Sequence, residues 1–338
     1  MPANLTPQYH KAEEEYRRAQ SAPERLACLE NMLRLIPKHK GTDKLQADLK
    51  HRIKEERDEV QAEKTAPKKG AGPSYRIPRQ GAGTVLVIGA PNAGKSRIVK
   101  ELTSASPVVA TYPFATREPL PGMMAWQDVT VQLVDTPPIA ADRMEGYLAG
   151  MVRSADAAVL AFDGASDDAP DETLAAAAEL ARRKTFLDAE SGFGEEDYSS
   201  VRVKTLLVAT RADDPGLGDR LDYWREIRGS GAPGLAALPE LTVELDRRES
   251  AEELRNAIYG MLGVIRVYTK APGKKADMEK PYVLPAGGTA SDLAAKVHRE
   301  LADKLRHAKI WTKGSADAQT VGPDHALADG DVAELHTA

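Results

Sequence analysis

The stretch Gly89-Ala-Pro-Asn-Ala-Gly94-Lys95-Ser96 decides the fold of this chain. It follows an apolar run at residues 84–88 and precedes a predicted helix at residues 95–103. In that setting glycines let backbone N–H groups point at phosphate oxygens, and the helix N-terminus adds positive potential. Lys95 is predicted to reach the β- and γ-phosphates of a nucleotide, and the Ser96 hydroxyl to bind magnesium.

Strands and helices alternate on both sides of this loop. Further strands are predicted at residues 129–134, 157–162, 205–209 and 241–245, and further helices at residues 171–184 and 251–261. Such alternation predicts a mostly parallel sheet with helices on both faces, which is an α/β fold. We assign residues 84–262 to this domain.

The residues before this domain have helical periodicity. An apolar stripe ends at Pro37, and a second helical stretch runs from about residue 42 to residue 63. The stripe consists of Leu26, Leu29, Leu33 and Ile36. Residues 1–66 are therefore predicted to form a helical hairpin, and the Pro-, Gly- and Lys-rich residues 67–83 a linker.

Residues 263–338 change in character, with short strands predicted at 264–268, 282–284, 308–311 and 332–335. A helix predicted at residues 291–305 supplies one apolar face for a small sheet, and His298 is expected to be an ordinary surface residue on it. This block is predicted to be a compact α+β domain.

Composition excludes several classes of protein. The 338 residues have a formal net charge of −5, and Cys28 is the single cysteine, which excludes an internal disulfide. No apolar run approaches the roughly 20 residues of a membrane span, and the N-terminus lacks a secretory pattern, so a cytoplasmic protein is expected. Residues 38–79 carry 12 Lys or Arg against 7 Asp or Glu. This basic arm either faces a polyanion or is a solvated charged helix.

Two residues after the phosphate loop are candidate magnesium ligands. Asp135 ends a predicted strand in Val134-Asp-Thr-Pro-Pro138, where a carboxylate can hold the metal. Thr116 lies between the loop and Asp135, where a switch threonine can bind magnesium when a γ-phosphate is present. The predicted metal ligands are Ser96, Thr116 and Asp135.

Thr210-Arg211-Ala212-Asp213 follows another predicted strand. A carboxylate at Asp213 can accept hydrogen bonds from both N1–H and N2–H of guanine, which adenine does not offer. The usual partners of this aspartate are Asn and Lys, so the motif departs at two of three positions, although an Arg plane can replace the Lys stem. The predicted nucleotide contacts are Gly89, Ala90, Pro91, Asn92, Ala93, Gly94, Lys95, Ser96, Arg97, Thr210, Arg211 and Asp213.

With these motifs the chain resembles the Obg and DRG (developmentally regulated GTP-binding protein) families of translation-factor-class GTPases. Further matching segments are Tyr112 to Thr116, Ile265 to Lys270, Ala308 to Trp311, and Val321-Gly322 with Asp331-Val332. The resemblance implies a P-loop GTPase core followed by a β-grasp TGS domain. It also implies GTP and GDP as ligands, Mg²⁺ as cofactor, and a ribosomal particle or structured RNA as partner, engaged through the hairpin and the TGS domain.

The resemblance assigns catalysis to Lys95, Thr116 and Asn92. Asn92 would help to hold a potassium ion in place of an arginine finger; the alternative is that Asn92 only caps the loop. No cis Gln or Arg is evident, so hydrolysis is expected to be slow without a partner.

The chain departs from the family at three places. The family carries an inserted domain between the magnesium aspartate and the guanine motif, whereas here Asp135 and Thr210 are only 75 positions apart. Pro138 replaces a glycine whose N–H contacts the γ-phosphate, and proline has no N–H. Glu244-Leu245 stands where Ser-Ala is expected.

Two alternatives to a GTP-hydrolysing switch therefore stay open. One is a nucleotide-regulated adaptor for RNA or the ribosome that hydrolyses little or no GTP. The other is an ATPase of related fold. The oligomeric state is left open by the sequence.

Overall fold

The computed structural model places a helical bundle, an α/β domain and a small C-terminal sheet along the chain. It describes residues 6–19, 22–37, 42–65, 77–103, 118–141, 143–193, 200–312, 315 and 317–337. Within these ranges no helix is long and apolar enough to cross a lipid bilayer.

The N-terminal bundle contains one helix more than the predicted hairpin. Its helices are α1 (Pro7–Arg18), α2 (Ala22–Leu35) and α3 (Asp43–Thr65). Thr6 caps α1, because its side-chain oxygen accepts a hydrogen bond from the Tyr9 N–H at 3.2 Å. Tyr9 is buried against Leu29 and Leu49 of the other two helices. The sequence did not predict α1 because its apolar stripe is short and lies among charged residues.

The α/β domain is an eight-stranded sheet with helices on both faces. Its strands are β1 (Thr84–Gly89), β2 (Leu120–Trp126), β3 (Val129–Asp135), β4 (Ala157–Asp163), β5 (Thr185–Asp188), β6 (Gly192–Phe193), β7 (Val201–Thr210) and β8 (Glu240–Thr242). Its helices are α4 (Lys95–Leu102), α5 (Leu148–Ser154), α6 (Ala169–Arg182), α7 (Leu217–Ile227) and α8 (Arg248–Met261).

The strand order is β2-β3-β1-β4-β7-β5, and β6 and β8 also pair with β7. β2 is antiparallel to β3, whereas β3, β1, β4, β7 and β8 run parallel. Helices α5, α6 and α7 cover one face, and α4 and α8 cover the other. The carboxyl ends of these five parallel strands therefore meet at one edge, where α/β proteins bind their ligands. This confirms the predicted fold class.

Several elements of this domain differ from the prediction. Strands β2, β5 and β6 and helices α5 and α7 were not predicted. β7 begins at residue 201 rather than 205, and β8 ends at residue 242 rather than 245. The predicted linker is shorter, because residues 77–83 lie along β3, where Gly81 bridges Val131 and Gln132 donates to the Pro78 carbonyl at 3.0 Å. Residues 66–76 lie outside the described part. Between β3 and β7 the described residues contain no inserted domain.

The C-terminal domain has the sheet order β10-β9-β13-β11-β12, which fits a β-grasp. Its elements are β9 (Val264–Thr269), β10 (Asp277–Pro285), α9 (Ala290–Val297), α10 (Arg299–Lys304), β11 (Leu305–Trp311), β12 (Gln319–Val321) and β13 (Asp331–Thr337). The single helix predicted at 291–305 is wrong, because the chain becomes extended at His298 (φ −163°). His298 is exposed as expected, but its Nδ1 also accepts a hydrogen bond from the Glu300 N–H and so caps α10.

Arg266 of β9 fastens the C-terminal domain to the turn between β2 and β3. Its guanidinium donates to Gln127 Oε1 at 2.6 Å and to Asp128 Oδ1 at 2.7 Å, and on its own side to Asp329 Oδ2 at 2.8 Å. The Tyr268 hydroxyl also donates to Asp128. Although burial opposes it, these hydrogen bonds hold the pKa of Asp128 below its usual range. We call this group, Gln127, Asp128, Arg266, Tyr268 and Asp329, the interdomain clamp.

Trp126, at the end of β2, supports the clamp. Its ring stacks on Tyr259 of α8 with centroids 3.5 Å apart, and its Nε1 donates to Asn256 Oδ1 at 2.7 Å. The Arg266 guanidinium lies 5.0 Å from the same ring. The β2–β3 turn is thus held by α8 and by the C-terminal domain together.

The N-terminal bundle also contacts both other domains. Lys11 Nζ of α1 lies 2.7 Å from Asp292 Oδ1 of α9, and the Tyr16 ring lies 5.9 Å from the ring of Phe193. The Lys11–Asp292 pair is half-exposed, so its contribution to stability is at most about 1 kcal/mol.

Arg266→Met is expected to lower the free energy of opening of the C-terminal domain by about 2–4 kcal/mol, because two carboxylates lose a shared, largely buried partner. Native-state hydrogen exchange of the β9 amides measures that free energy.

The matched control is Arg57→Met, which removes an exposed arginine paired with Glu30 at 2.7 Å and is expected to cost less than about 1 kcal/mol. Equal exchange rates of β9 in both variants would contradict a stabilising clamp.

Candidate nucleotide-binding site

The phosphate loop is held against two strand ends at distances that require glycine. At Gly89 (φ +143°) a Cβ would lie 2.7 Å from the Ala161 carbonyl oxygen of β4. At Gly94 (φ +90°) it would lie 2.9 Å from Thr210 Cγ2 of β7. Both glycines therefore allow a close approach and a positive φ that larger residues resist. The loop leads into the N-terminus of α4, so its shape fits a phosphate cradle.

Lys95 lies inside this cradle. Its Nζ donates to the carbonyls of Ala90 at 2.6 Å and Gly89 at 3.2 Å, and the residue is 6% exposed. Burial lowers the pKa of Lys95 to about 8, against the opposing charges of Asp135 and Glu172. A buried cation with two carbonyl partners is well placed to meet an anion.

Ser96 and Asp135 meet beside the loop. The Ser96 hydroxyl donates to Asp135 Oδ2 at 2.6 Å, and Asp135 is 1% exposed at the end of β3. A hydroxyl and a carboxylate in contact are hard oxygen ligands of the kind that Mg²⁺ prefers, so this pair fits the predicted metal. Thr116, the third predicted ligand, lies outside the described residues.

The guanine motif is joined directly to the phosphate loop. Thr210 is 4% exposed, and its hydroxyl donates to the Phe162 carbonyl at 3.2 Å and lies 3.5 Å from the Ala93 carbonyl. Thr210 thus links β7, β4 and the loop with a shorter side chain than the usual Asn. Asp213 is exposed beyond it, as expected for a carboxylate that must reach a base.

Arg211 does not extend freely in place of the usual lysine. It has a positive φ of +56°, and its Nη1 lies 3.0 Å from Asp163 Oδ1 at the end of β4. The sequence reasoning missed Asp163. Its position at the carboxyl end of a parallel strand, between two strands with site residues, was the signal that could have found it.

The loop after β8 closes the other side of the guanine motif. The Ala212 N–H donates to the Val243 carbonyl at 3.2 Å, and Glu244 N–H donates to Ser250 Oγ at 3.0 Å. Arg97 Nη2 lies 2.5 and 2.6 Å from the two carboxylate oxygens of Asp246, which the sequence reasoning also missed. Glu244-Leu245, which stands where Ser-Ala was expected, lies in this loop.

Asn92, a predicted catalytic residue, and Pro138, which departs from the family pattern, each have a distinctive local geometry. Asn92 is exposed with φ +59° at the tip of the phosphate loop. Next to Asp135, Pro138 has no N–H, and the N–H of buried Ile139 donates to the Gly89 carbonyl at 3.0 Å. In related GTPases this stretch offers a backbone N–H to the γ-phosphate. Here neither Pro138 nor Ile139 has a free N–H for that contact.

The comparisons with known proteins agree with this geometry. Residues 84–189 match the family described as 50S ribosome-binding GTPase, and residues 265–337 match the TGS domain. The chain is 25% identical to an uncharacterized GTP-binding protein of Methanocaldococcus jannaschii over 361 aligned positions, covering 91% of each chain. That alignment is longer than this chain, so the relative has segments absent here.

Other relatives are Developmentally-regulated G-protein 2 of Arabidopsis thaliana (24% identical, covering 92% of this chain and 90% of the relative) and Developmentally-regulated GTP-binding protein 1 of Xenopus laevis (24%, 92% and 98%). Among solved structures, the YchF GTPase of Schizosaccharomyces pombe has the same fold, with a TM-score of 0.50 at 13% identity, covering 78% of this chain and 100% of that one.

The fold and the site define a P-loop GTPase-family protein with a C-terminal TGS domain. More particularly, over most of its length the chain is similar to the developmentally regulated GTP-binding proteins, which confirms the resemblance found in the sequence.

Lys95→Met is expected to stabilise the protein stripped of nucleotide at pH 7, by on the order of 3 kcal/mol, while abolishing nucleotide binding. Because the folded-state pKa is lowered from 10.5 to about 8, the unfolded wild type binds an extra proton between these values. Wild-type stability should therefore rise with pH across that window, and the gap to the variant should close.

Denaturant unfolding of both proteins at pH 7, 8.5 and 10 measures this gap. A gap that stays constant over the three pH values would contradict the burial of a charged Lys95.

Proposed function

We propose that this protein binds GTP with Mg²⁺ and hydrolyses it to GDP and phosphate as a nucleotide-controlled switch. The observation that carries the proposal is the single sheet edge that brings the phosphate loop, the Ser96–Asp135 pair and the Thr210–Asp213 motif together. The residues proposed to bind the phosphates, the metal and the base thus lie at neighbouring strand ends, in an order that suits a nucleotide.

Each residue has a defined part in this proposal. The loop N–H groups and Lys95 bind the phosphates, and Asp213 accepts hydrogen bonds from guanine. Ser96 and Asp135, with Thr116, would hold Mg²⁺, which neutralises charge on the phosphate oxygens. Arg97 and Arg211 are held by Asp246 and Asp163, so they shape the walls of the base site.

The backbone at Pro138 favours slow hydrolysis, and it supports a second candidate function. Neither Pro138 nor Ile139 offers a free N–H toward a γ-phosphate. An adaptor that binds GTP and an RNA-rich partner while hydrolysing little GTP would keep the rest of the site as it is. Asn92, exposed on the loop, is the candidate ligand for a potassium ion that would restore charge stabilisation.

GTP turnover of the purified protein in potassium and in sodium tests the proposal. We expect turnover at or below about 10⁻³ s⁻¹, faster in potassium, and abolished in Lys95→Ala. Pro138→Gly is expected to raise turnover at least about tenfold, because one added donor to developing charge is worth a large rate factor.

Asn92→Ala tests whether Asn92 binds the potassium ion, and it should make the GTP turnover rates in potassium and in sodium equal. Tight GTP binding without turnover in any buffer would contradict the proposed GTP hydrolysis and support the adaptor function. Full turnover in Lys95→Ala would indicate a contaminating enzyme.

The proposed partner is a ribosomal particle or structured RNA. The support is the family description for residues 84–189, together with the basic arm. Two basic residues of that arm are already paired with carboxylates. Arg52 is 8% exposed and lies 3.1 Å from Asp48, and Arg57 pairs with Glu30 at 2.7 Å. Lys50 and Lys54 are exposed on α3 and are the better candidates for phosphate contacts.

The double variant Lys50→Glu/Lys54→Glu should weaken binding to purified ribosomal particles at least about tenfold, with the loss shrinking as salt rises and GTP binding unchanged. Sedimentation of the protein with the particles measures this binding.

Lys274→Glu/Lys275→Glu places the same charge change on the exposed β9–β10 loop and serves as the control. An equal loss in both double variants would contradict a specific role for the arm.

A further inference from the structure

The C-terminal sheet has one face covered by α9 and a second face without a helix among the described elements. Inward side chains such as Ala308, Ile310 and Ala333 pack with Leu293 of α9. Because side chains alternate along a strand, their neighbours point to the other side. We call these neighbours the open face: Lys270, His307, Lys309, Trp311, Glu334 and His336.

Two ring systems lie on the open face. His307 and His336 are directly paired across β11 and β13, and their rings stack with centroids 4.6 Å apart and an interplanar angle of 7°. Trp311 lies four residues beyond His307 on the same strand, and Lys270 Nζ is 4.2 Å from its ring centroid. Four residues of a strand span about 13 Å, so this distance separates the two ring systems.

The charges on the open face favour an anion. Lys309 lies between the two ring systems on β11, opposite Glu334 of β13. Glu334 is 5% exposed, with its oxygens 3.3 Å from Lys270 Nζ and 2.8 Å from His336 Nε2. Although burial opposes it, these hydrogen bonds hold the pKa of Glu334 below its usual range. The carboxylate is thus covered by its partners, and the other five residues of the open face are cationic or aromatic.

Cationic groups that alternate with partly exposed rings on a sheet are the arrangement that binds unstacked bases and their phosphates. In an intact duplex the faces of the bases are covered by their stacked neighbours, so rings on a sheet stack only on bases that are unstacked. A duplex would therefore leave both ring systems unused. An acidic peptide would use Lys309 and Lys270 but would gain little from the histidine pair or from Trp311.

We propose that the open face binds single-stranded RNA, with one base on the His307–His336 pair, another on Trp311 and an intervening phosphate on Lys309. This inference rests on the proposed RNA-rich partner and names the surface and the form of RNA that it takes. The open face continues along β9 into Arg266 and Tyr268 of the interdomain clamp, so the bound strand would lie beside the β2–β3 turn.

Fluorescence anisotropy of the full-length protein with a fluorescein-labelled ten-nucleotide single-stranded RNA tests the proposal. Trp311→Ala and His307→Ala are each expected to weaken binding about 5- to 100-fold, the range for loss of one base–aromatic stack. Trp311→Phe should recover most of the affinity. Lys309→Glu should weaken binding and flatten its salt dependence.

Tyr223→Ala is the matched control, since Tyr223 is an aromatic residue 44% exposed on α7, and it should leave RNA binding unchanged. Hydrogen exchange of the β9 and β13 amides in each variant shows that the sheet is intact. GTP binding is measured on the same samples, so that loss of the RNA surface and failure of the nucleotide site are told apart.

Weak binding by Trp311→Ala and His307→Ala, recovery in Trp311→Phe and a preference for single-stranded over duplex RNA would support the proposal. Three results would overturn it: no RNA binding by a wild type that binds GTP, unchanged binding by the ring variants, or a loss confined to Lys309→Glu with displacement of the RNA by polyglutamate. The last result would identify a surface for acidic peptides.

Discussion

The close approach of the phosphate loop to the ends of β4 and β7 is the constraint on which the site depends. Gly89 and Gly94 let the loop lie against Ala161 and Thr210 at distances that a Cβ would violate. Thr210 then donates to the β4 backbone, which fixes the first residue of the guanine motif against the phosphate cradle. The proposed phosphate and base subsites are thereby joined by close packing of the loop against β4 and β7. A bulkier residue at either glycine would displace the loop and separate the two subsites.

The β2–β3 hairpin connects the C-terminal domain with the proposed nucleotide site. β3 ends at Asp135, which contacts Ser96 of the loop, and begins next to the turn that Arg266 and Asp128 fasten to the C-terminal sheet. β2, on the other side of that turn, follows the segment that contains Thr116. A hairpin that contacts the proposed metal site at one end and a neighbouring domain at the other is suited to carry a change between them. This arrangement supports the proposal of a switch.

The sequence predicted the α/β class, the site edge and the C-terminal sheet because each depends on local signals. The glycine loop, the strand-ending Asp135 and the four-residue guanine motif sit at fixed offsets from buried strands. The contacts that the sequence could not predict join residues far apart in the chain, such as Arg97 with Asp246 and Arg211 with Asp163. The break at His298 was missed for a different reason: the leucine spacing continues through it, and only the competing strand β11 shows that the helix must end.

Competition for the base subsite is the measurement that tests the account most directly. Labelled GDP bound to the wild type would be displaced by GTP, ATP or a xanthine nucleotide, and the same competitors would be tested on Asp213→Asn carrying a labelled xanthosine diphosphate. If Asp213 reads N1–H and N2–H of guanine, GTP should displace the label at least about 100-fold better than ATP. In Asp213→Asn the amide should favour the xanthine nucleotide, whose C2 carbonyl accepts where guanine donates. Displacement by ATP at the same concentration as GTP, or an unchanged preference in Asp213→Asn, would contradict the proposed guanine site.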